Sequence, residues 1–135
     1  MIQETAIKND SPRNEAVVNV SFKVRLLMRS IAFYKRQMEV LEELLKEWNF
    51  HDDSIHHKED VTYFLLHLGR CKMELSRKES CLVMIANRGY RLMSKQDTEA
   101  MTKLLTRISR QVNQLENEIA ELNKQIRNYL IDFAS

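Results

Sequence analysis

Apolar residues recur through the last third of the chain in alternating steps of three and four residues. The alternation runs without a miss from Met101 to Phe133. Because its mean step of ~3.5 residues is close to the 3.6 residues of an α-helical turn, these side chains form a seam along one face of a helix. Another helix must cover that seam. Its members are Met101, Leu105, Ile108, Val112, Leu115, Ile119, Leu122, Ile126, Tyr129 and Phe133.

Two earlier stretches, over residues 17–48 and 61–85, carry the same alternation and predict two further helices. Lys78 is the single polar member of the second seam, where its methylene stem can lie over the core while the ammonium group stays in water. Apolar residues over 18–26 also alternate every second position, as in a half-buried strand. We favour helix there because the three-four alternation continues unbroken towards Trp48.

Turn and capping signals set the ends of these helices. The segment 49–54 reads NFHDDS and separates the first two, and Gly89 can adopt the positive φ that ends the second. Ser94 or Asp97 caps the third, and Ser11-Pro12 resembles a helix start. We therefore predict a flexible tail over residues 1–14 and a single domain over 15–135, with helices at about 15–49, 54–88 and 95–133.

Short connections between long helices force each to run antiparallel to the one before it. The first two helices also carry apolar residues beside their seams, so each is expected to contact two neighbours. These residues are Phe22, Leu26, Met28, Phe33, Val40, Leu44, Leu65, Leu66, Met73, Val83 and Met84. We predict an all-α, antiparallel, up-down-up three-helix bundle, or coiled coil of long helices. The third helix has a narrower stripe, which leaves dimerisation open.

Composition agrees with this fold class. Two glycines and one proline in 135 residues are too few for the turns of a sheet protein. Neither a signal-peptide core nor a run of about 18 apolar residues occurs, so we expect a cytoplasmic protein with no membrane partner. Cys71 and Cys81 are ten residues apart on one helix and thus ~15 Å apart, beyond disulfide reach. We expect both to be reduced, buried or half-buried thiols.

The predicted topology sorts the charges, although the net charge is only +2. The basic end, residues 11–36 and 76–110, has 14 Lys/Arg against 4 Asp/Glu. The acidic end, residues 37–75 and 111–135, has 6 against 13. The basic end could bind polyanions. Alternatively, two copies of the bundle could pack antiparallel, basic end against acidic end, as a symmetric dimer. Neither aromatic stacking platforms nor a helix-turn-helix or zinc-finger spacing singles out nucleic acid. The candidate polyanion-binding residues are Arg25, Arg29, Arg77, Arg88, Arg91, Lys95, Lys103, Arg107 and Arg110.

A second candidate site is the group of histidines and carboxylates between residues 51 and 60. Imidazole and carboxylate bind zinc and iron, but the spacing fits neither H-E-x-x-H nor the paired Glu-x-x-His of di-iron bundles. A solvated helix start with incidental histidines explains the group better. The residues are His51, Asp52, Asp53, His56, His57, Glu59 and Asp60.

No catalytic residue, metal site or cofactor is assigned. We expect a non-enzymatic intracellular helical-bundle protein that mediates interaction with another protein or with a second copy of itself. The alternative is a binder of nucleic acid or another polyanion through the basic end. A weaker alternative is a metal-dependent enzyme that uses the residues from His51 to Asp60.

Overall fold

The structure of the chain is a computed structural model that describes residues 2–49, 55–90 and 94–134, with side chains described at 15–48, 55–90 and 94–134. Three helices make up almost all of it: α1 is Ile2–Asn49, α2 is Ile55–Asn87 and α3 is Lys95–Ala134. No strand occurs in these ranges. The prediction of an all-α three-helix bundle is confirmed.

The helix boundaries differ from expectation mainly at the N-terminus of α1. Its backbone is helical from Ile2, whereas we expected a flexible tail over residues 1–14. The Ser11-Pro12 pair reads as a start signal, yet the residues before it include good helix formers such as Ala6 and Lys8. Residues 15–24 are helical, as the three-four alternation indicated. The other boundaries lie within one residue of the predicted ones.

The ends at the second connection have the predicted caps. Gly89 has a φ of 77° and follows the last turn of α2. Ser94 and Asp97 form a reciprocal capping box at the start of α3. The Asp97 N–H donates to Ser94 Oγ at 3.1 Å, and the Ser94 N–H donates to Asp97 Oδ2 at 3.3 Å. Two backbone donors at the start of the helix are thereby satisfied.

Contacts between helices establish the up-down-up arrangement. Lys35 pairs with Glu79 and Lys72 pairs with Glu42, so α1 and α2 run antiparallel. The rings of Trp48 near the end of α1 and Phe133 near the end of α3 lie 6.2 Å apart, so these helices run parallel. The start of α1, the end of α2 and the start of α3 therefore share one end of the bundle.

The core consists mainly of the predicted seam residues. Buried members include Val20, Val24, Ile31, Met38, Leu41, Leu45, Val61, Phe64, Leu68, Cys71, Leu75, Leu82, Ile85, Met101, Leu105, Ile108, Val112, Ile119, Leu122 and Ile126. Leu27, Tyr34, Trp48, Leu115 and Tyr129 are half-buried and pack against them. Phe50 lies outside the described residues.

The apolar residues beside the seams behave differently from expectation. Met28, Leu44 and Leu65 pack against the core. The other eight, however, are exposed, because three helices cover one broad face of each helix and cannot reach its outer side. These eight are Phe22, Leu26, Phe33, Val40, Leu66, Met73, Val83 and Met84. The prediction that each of the first two helices contacts two neighbours is confirmed, because α1, α2 and α3 all contact one another, but these eight residues do not make that contact.

Across the residues that the structure describes, none of the helices is both long and apolar enough to cross a bilayer.

Candidate functional site

The outer side of α1 carries an apolar stripe that the bundle leaves uncovered. It consists of Val18, Phe22, Leu26, Phe33 and Val40, which we call the outer stripe. At 100° per residue, these five positions fall within an arc of ~80° that is centred ~145° away from the buried face. Their exposed fractions range from 41% at Val40 to 64% at Val18. The helix α1 is therefore apolar on two opposite sides.

The outer stripe borders a groove between α1 and α3. Phe33 and Val40 line it from α1, while Asn123 and Arg127 line it from α3. Nearer the start of α1, Leu26 lines the same side of the bundle opposite polar residues of α3. A ligand in this position would meet both apolar and polar side chains. An amphipathic helix presents both kinds of surface.

The other two helices also have exposed apolar residues. On α2, Ile55, Leu66, Met73 and Met84 are exposed along one line, and Tyr63 and Val83 are exposed beside it. Steps of 7 and 11 residues separate the four side chains of that line by ~10–16 Å along the helix. On α3, Ile131 is the one large exposed apolar residue in the described range. Uncovered apolar surface thus occurs on α1 and on α2, and on α1 it borders the groove to α3.

Charges along the outer side of α1 change sign near its middle. Arg25 and Arg29 lie on the N-terminal half, and Glu43 and Glu47 on the C-terminal half. All four are exposed, and within the described ranges none of them makes an ion pair. Arg36, between the two groups, pairs with Glu39 of its own helix at 3.4 Å.

The candidate polyanion-binding residues lie on all three helices at the basic end. Eight of the nine are exposed, and Arg91 lies outside the described residues. Tyr90, just after α2, lies close enough to Arg25 on α1 to feel its charge, as expected if these helix ends share the basic end. Burial raises the pKa of the Tyr90 hydroxyl, and the charge of Arg25 offsets part of that rise. Arg110 lines a groove together with Lys23, which was not among the candidates. Arg77 is paired with Glu74 at 2.8 Å.

The prediction for His57, a residue type that often binds metal or takes part in catalysis, is wrong. It was expected on a solvated helix start, but its side chain is only 2% exposed. Its ring stacks on Phe133 with centroids 4.1 Å apart, and its Nδ1 lies 2.6 Å from the Tyr129 hydroxyl. Its position four residues before Val61 continues the seam of the second helix, and that signal identifies a core residue.

The two ring nitrogens of His57 have different hydrogen-bond partners. The carbonyl oxygen of Trp48 can only accept, so Nε2 donates to it at 3.3 Å. Nδ1 shares a hydrogen bond with the Tyr129 hydroxyl. His57 thus joins the end of α1 to the end of α3. His51, Asp52 and Asp53 lie outside the described residues, while His56, Glu59 and Asp60 are exposed. Across the described ranges, no group of three or more His, Cys, Asp or Glu side chains could hold a metal ion.

The two cysteines have different environments. Cys71 is buried and donates to the Glu118 carboxylate at 3.7 Å, whereas Cys81 is exposed, contrary to the expectation that both are covered. Burial, followed by the charge of Glu118, raises the pKa of the Cys71 thiol. The thiol therefore keeps its proton at neutral pH, which makes it a poor nucleophile.

The fold and surfaces described above define the class of an all-α three-helix bundle. No protein-family model, curated protein or solved structure matches the chain.

Proposed function

We propose that this chain is a non-enzymatic cytoplasmic helical-bundle protein that binds another helix, from a different protein or a second copy, through the outer stripe of α1. The observation that carries this proposal is the second apolar side of α1. A helix that is apolar on two opposite sides is typical of one that packs against partners on both. Contiguous exposed apolar surface on a small protein commonly marks an interaction site.

Energetics favour covering the outer stripe. Phe22 and Phe33 are 60% and 59% exposed. Full burial of such a side chain contributes ~1.5–3 kcal/mol, so covering the exposed part of each contributes on the order of 1 kcal/mol. The groove beside the stripe supplies polar groups from α3 for the flank of an incoming helix. Two phenylalanines in the middle of a largely polar surface also fit the pattern of interface anchors.

Site-specific photo-crosslinking in the cells that express the chain tests this proposal. A benzophenone amino acid replaces Phe33 in one variant and Ser80 in the other. Ser80 is a matched control because it is exposed on α2, and its neighbour Glu79 contacts Lys35 at about the height of Phe33. We expect adducts of defined mass, identified by mass spectrometry, from position 33 and none from position 80. No adduct from position 33 would contradict the proposal.

A second candidate function is polyanion binding through the basic end. Within the described ranges, seven of the nine candidate residues are exposed and have no ion-pair partner; they are Arg25, Arg29, Arg88, Lys95, Lys103, Arg107 and Arg110. Unpaired surface cations attract phosphates and sulfates, and such binding weakens as salt rises. Nucleic acid and heparin share this chemistry, so either can serve as a probe.

Fluorescence anisotropy with labelled single-stranded DNA measures that binding as a function of salt. The test variant is Arg107→Glu with Arg110→Glu, and the matched control at the other end of α3 is Lys124→Glu with Arg127→Glu. We expect the test variant to bind at least about tenfold more weakly and to reduce the salt slope by about 1.5, since each lost phosphate contact contributes ~0.7 for a single strand. If both variants lose DNA affinity equally, or if the wild type does not bind DNA, polyanion binding through the basic end is ruled out.

A further inference from the structure

We infer that the partner of the outer stripe is the α1 helix of a second copy of this chain, with the two α1 helices antiparallel. This inference rests on the proposed function because it names the occupant of the same surface. Three observations support it: the change of charge sign along α1, the symmetry of the residues about one point, and the absence of ion-pair partners for the flanking charges in the described part of the chain.

The charge pattern selects the direction of the second helix. A parallel partner would place Arg25 and Arg29 beside their own copies and Glu43 and Glu47 beside theirs. An antiparallel partner places the two arginines of each copy beside the two glutamates of the other. Like charges in contact are unfavourable and opposite charges are favourable, so only the antiparallel arrangement is self-complementary.

The four charged residues are also placed symmetrically about one position in the sequence of α1. Arg25 and Glu47 are equally distant from residue 36, and so are Arg29 and Glu43. Phe33 and Val40 lie on either side of nearly the same point. A two-fold axis near residue 36 therefore aligns both charge pairs at once and brings Phe33 of one copy close to Val40 of the other. Arg36, near the axis, keeps its charge compensated by Glu39 of its own chain at 3.4 Å.

The C-terminal part of the outer stripe supplies the apolar surface for such a contact. With the axis near residue 36, Phe33 and Val40 lie against the α1 helix of the other copy, whereas Phe22 lies opposite position 50, beyond the end of α1 at Asn49. Phe33 leaves ~100 Å² or more of aromatic surface uncovered. Burial of this surface in both copies, together with the charged flanks and the groove beside α3, would give a four-helix contact between the α1 and α3 helices of the two copies.

Charge exchange tests the inference with purified full-length protein. One variant carries Arg25→Glu and Arg29→Glu, and the other carries Glu43→Arg and Glu47→Arg. Each variant alone faces its own copy with like charges, whereas a one-to-one mixture restores opposite charges on both sides of the axis. The control variant is Glu99→Lys with Glu121→Lys, which reverses two exposed charges on α3 outside both candidate surfaces. Circular dichroism checks that each variant keeps its helix content.

Light scattering coupled to size exclusion gives the mass, and dilution gives the dissociation constant. We expect a wild-type dimer, an unchanged control, dissociation constants at least about tenfold higher for each variant alone, and recovery to within about threefold in the mixture. A monomeric wild type, dimers of undiminished affinity in both single variants, or no recovery in the mixture would overturn the inference. A monomeric chain whose position-33 adduct contains a different protein overturns this inference and leaves the proposed function standing. The absence of any adduct rejects both.

Discussion

The Nδ1 atom of His57 on α2 lies 2.6 Å from the hydroxyl oxygen of Tyr129 on α3, and the same imidazole donates from Nε2 to the Trp48 carbonyl at 3.3 Å. One ring thus connects all three helices at the acidic end of the bundle. Phe133 covers the imidazole at a centroid distance of 4.1 Å. A side chain that is a metal ligand or a catalyst in many proteins here satisfies the hydrogen bonds of a buried junction.

The substitution Tyr129→Phe tests this junction. Removing the hydroxyl takes one hydrogen bond from the buried imidazole, so we expect the free energy of unfolding to fall by about 1–3 kcal/mol. The matched control is Tyr63→Phe, because Tyr63 is 55% exposed on α2. Its effect should stay within about 0.5 kcal/mol. Urea unfolding followed by circular dichroism measures both, and equal midpoints for the two variants would contradict the role given to His57.

The seam of α3 supplies a test of the core. Ile119 is 2% exposed, so Ile119→Ala should destabilise the protein by about 2–4 kcal/mol through lost burial and a residual cavity. Ile55 is 72% exposed at the start of α2, and Ile55→Ala should change the stability by only about 0.5 kcal/mol. Thermal and urea unfolding of both variants provide the comparison. A small effect at position 119 would mean that α3 does not pack as described.

The capping box at the start of α3 predicts a local effect. Ser94→Ala removes the acceptor for the Asp97 N–H and should cost about 1 kcal/mol. Ser80 is an exposed serine inside α2 whose hydroxyl donates to the Ser76 carbonyl at 3.1 Å. Ser80→Ala should be neutral or slightly stabilising, since alanine is the better helix former. Urea midpoints distinguish the two, and a neutral Ser94→Ala would argue against the cap.

The raised pKa of Cys71 predicts a loss of stability at alkaline pH. The ordinary pKa of the thiol is about 9.0, and burial raises it in the folded chain. Above the ordinary value the unfolded chain has lost a proton that the folded chain retains, so the free energy of unfolding is highest below that pH and falls as the pH rises. Replacing the thiol by a hydroxyl in Cys71→Ser should flatten this dependence, whereas Cys81→Ser should leave it unchanged. Parallel pH profiles for all three proteins would contradict the prediction.

The sequence is enough to predict the fold because periodicity and capping act locally. The three-four alternation identified the buried positions of α3 from Met101 to Ile126 apart from the half-buried Leu115, and Ser94 and Gly89 marked the ends beside the second connection. The outer stripe was not recognised, since an extra apolar residue can face a second neighbour or solvent. Which of the two applies depends on how far three helices wrap around each other.

His57 was misjudged for a different reason. Its neighbours His56, Glu59 and Asp60 are polar, and the local composition indicated a solvated helix start. The position of His57 in the seam, four residues before Val61, indicated burial, but the partner that makes burial of an imidazole favourable is Tyr129, 72 residues later in the chain. Pairings at that sequence separation follow from the packing of helices and cannot be derived from local pattern.

Self-association through α1 is tested by the absolute mass of the purified chain by light scattering, compared with that of a Phe33→Ser, Val40→Ser variant at the same concentration. We expect the wild-type mass to be twice the 16.1 kDa of one chain and to fall towards that value at high salt, because the charged flanks are then screened. The variant should have the mass of one chain and unchanged helix content. Equal masses for the two proteins at every concentration would contradict the central claim that the outer stripe of α1 is a self-association surface.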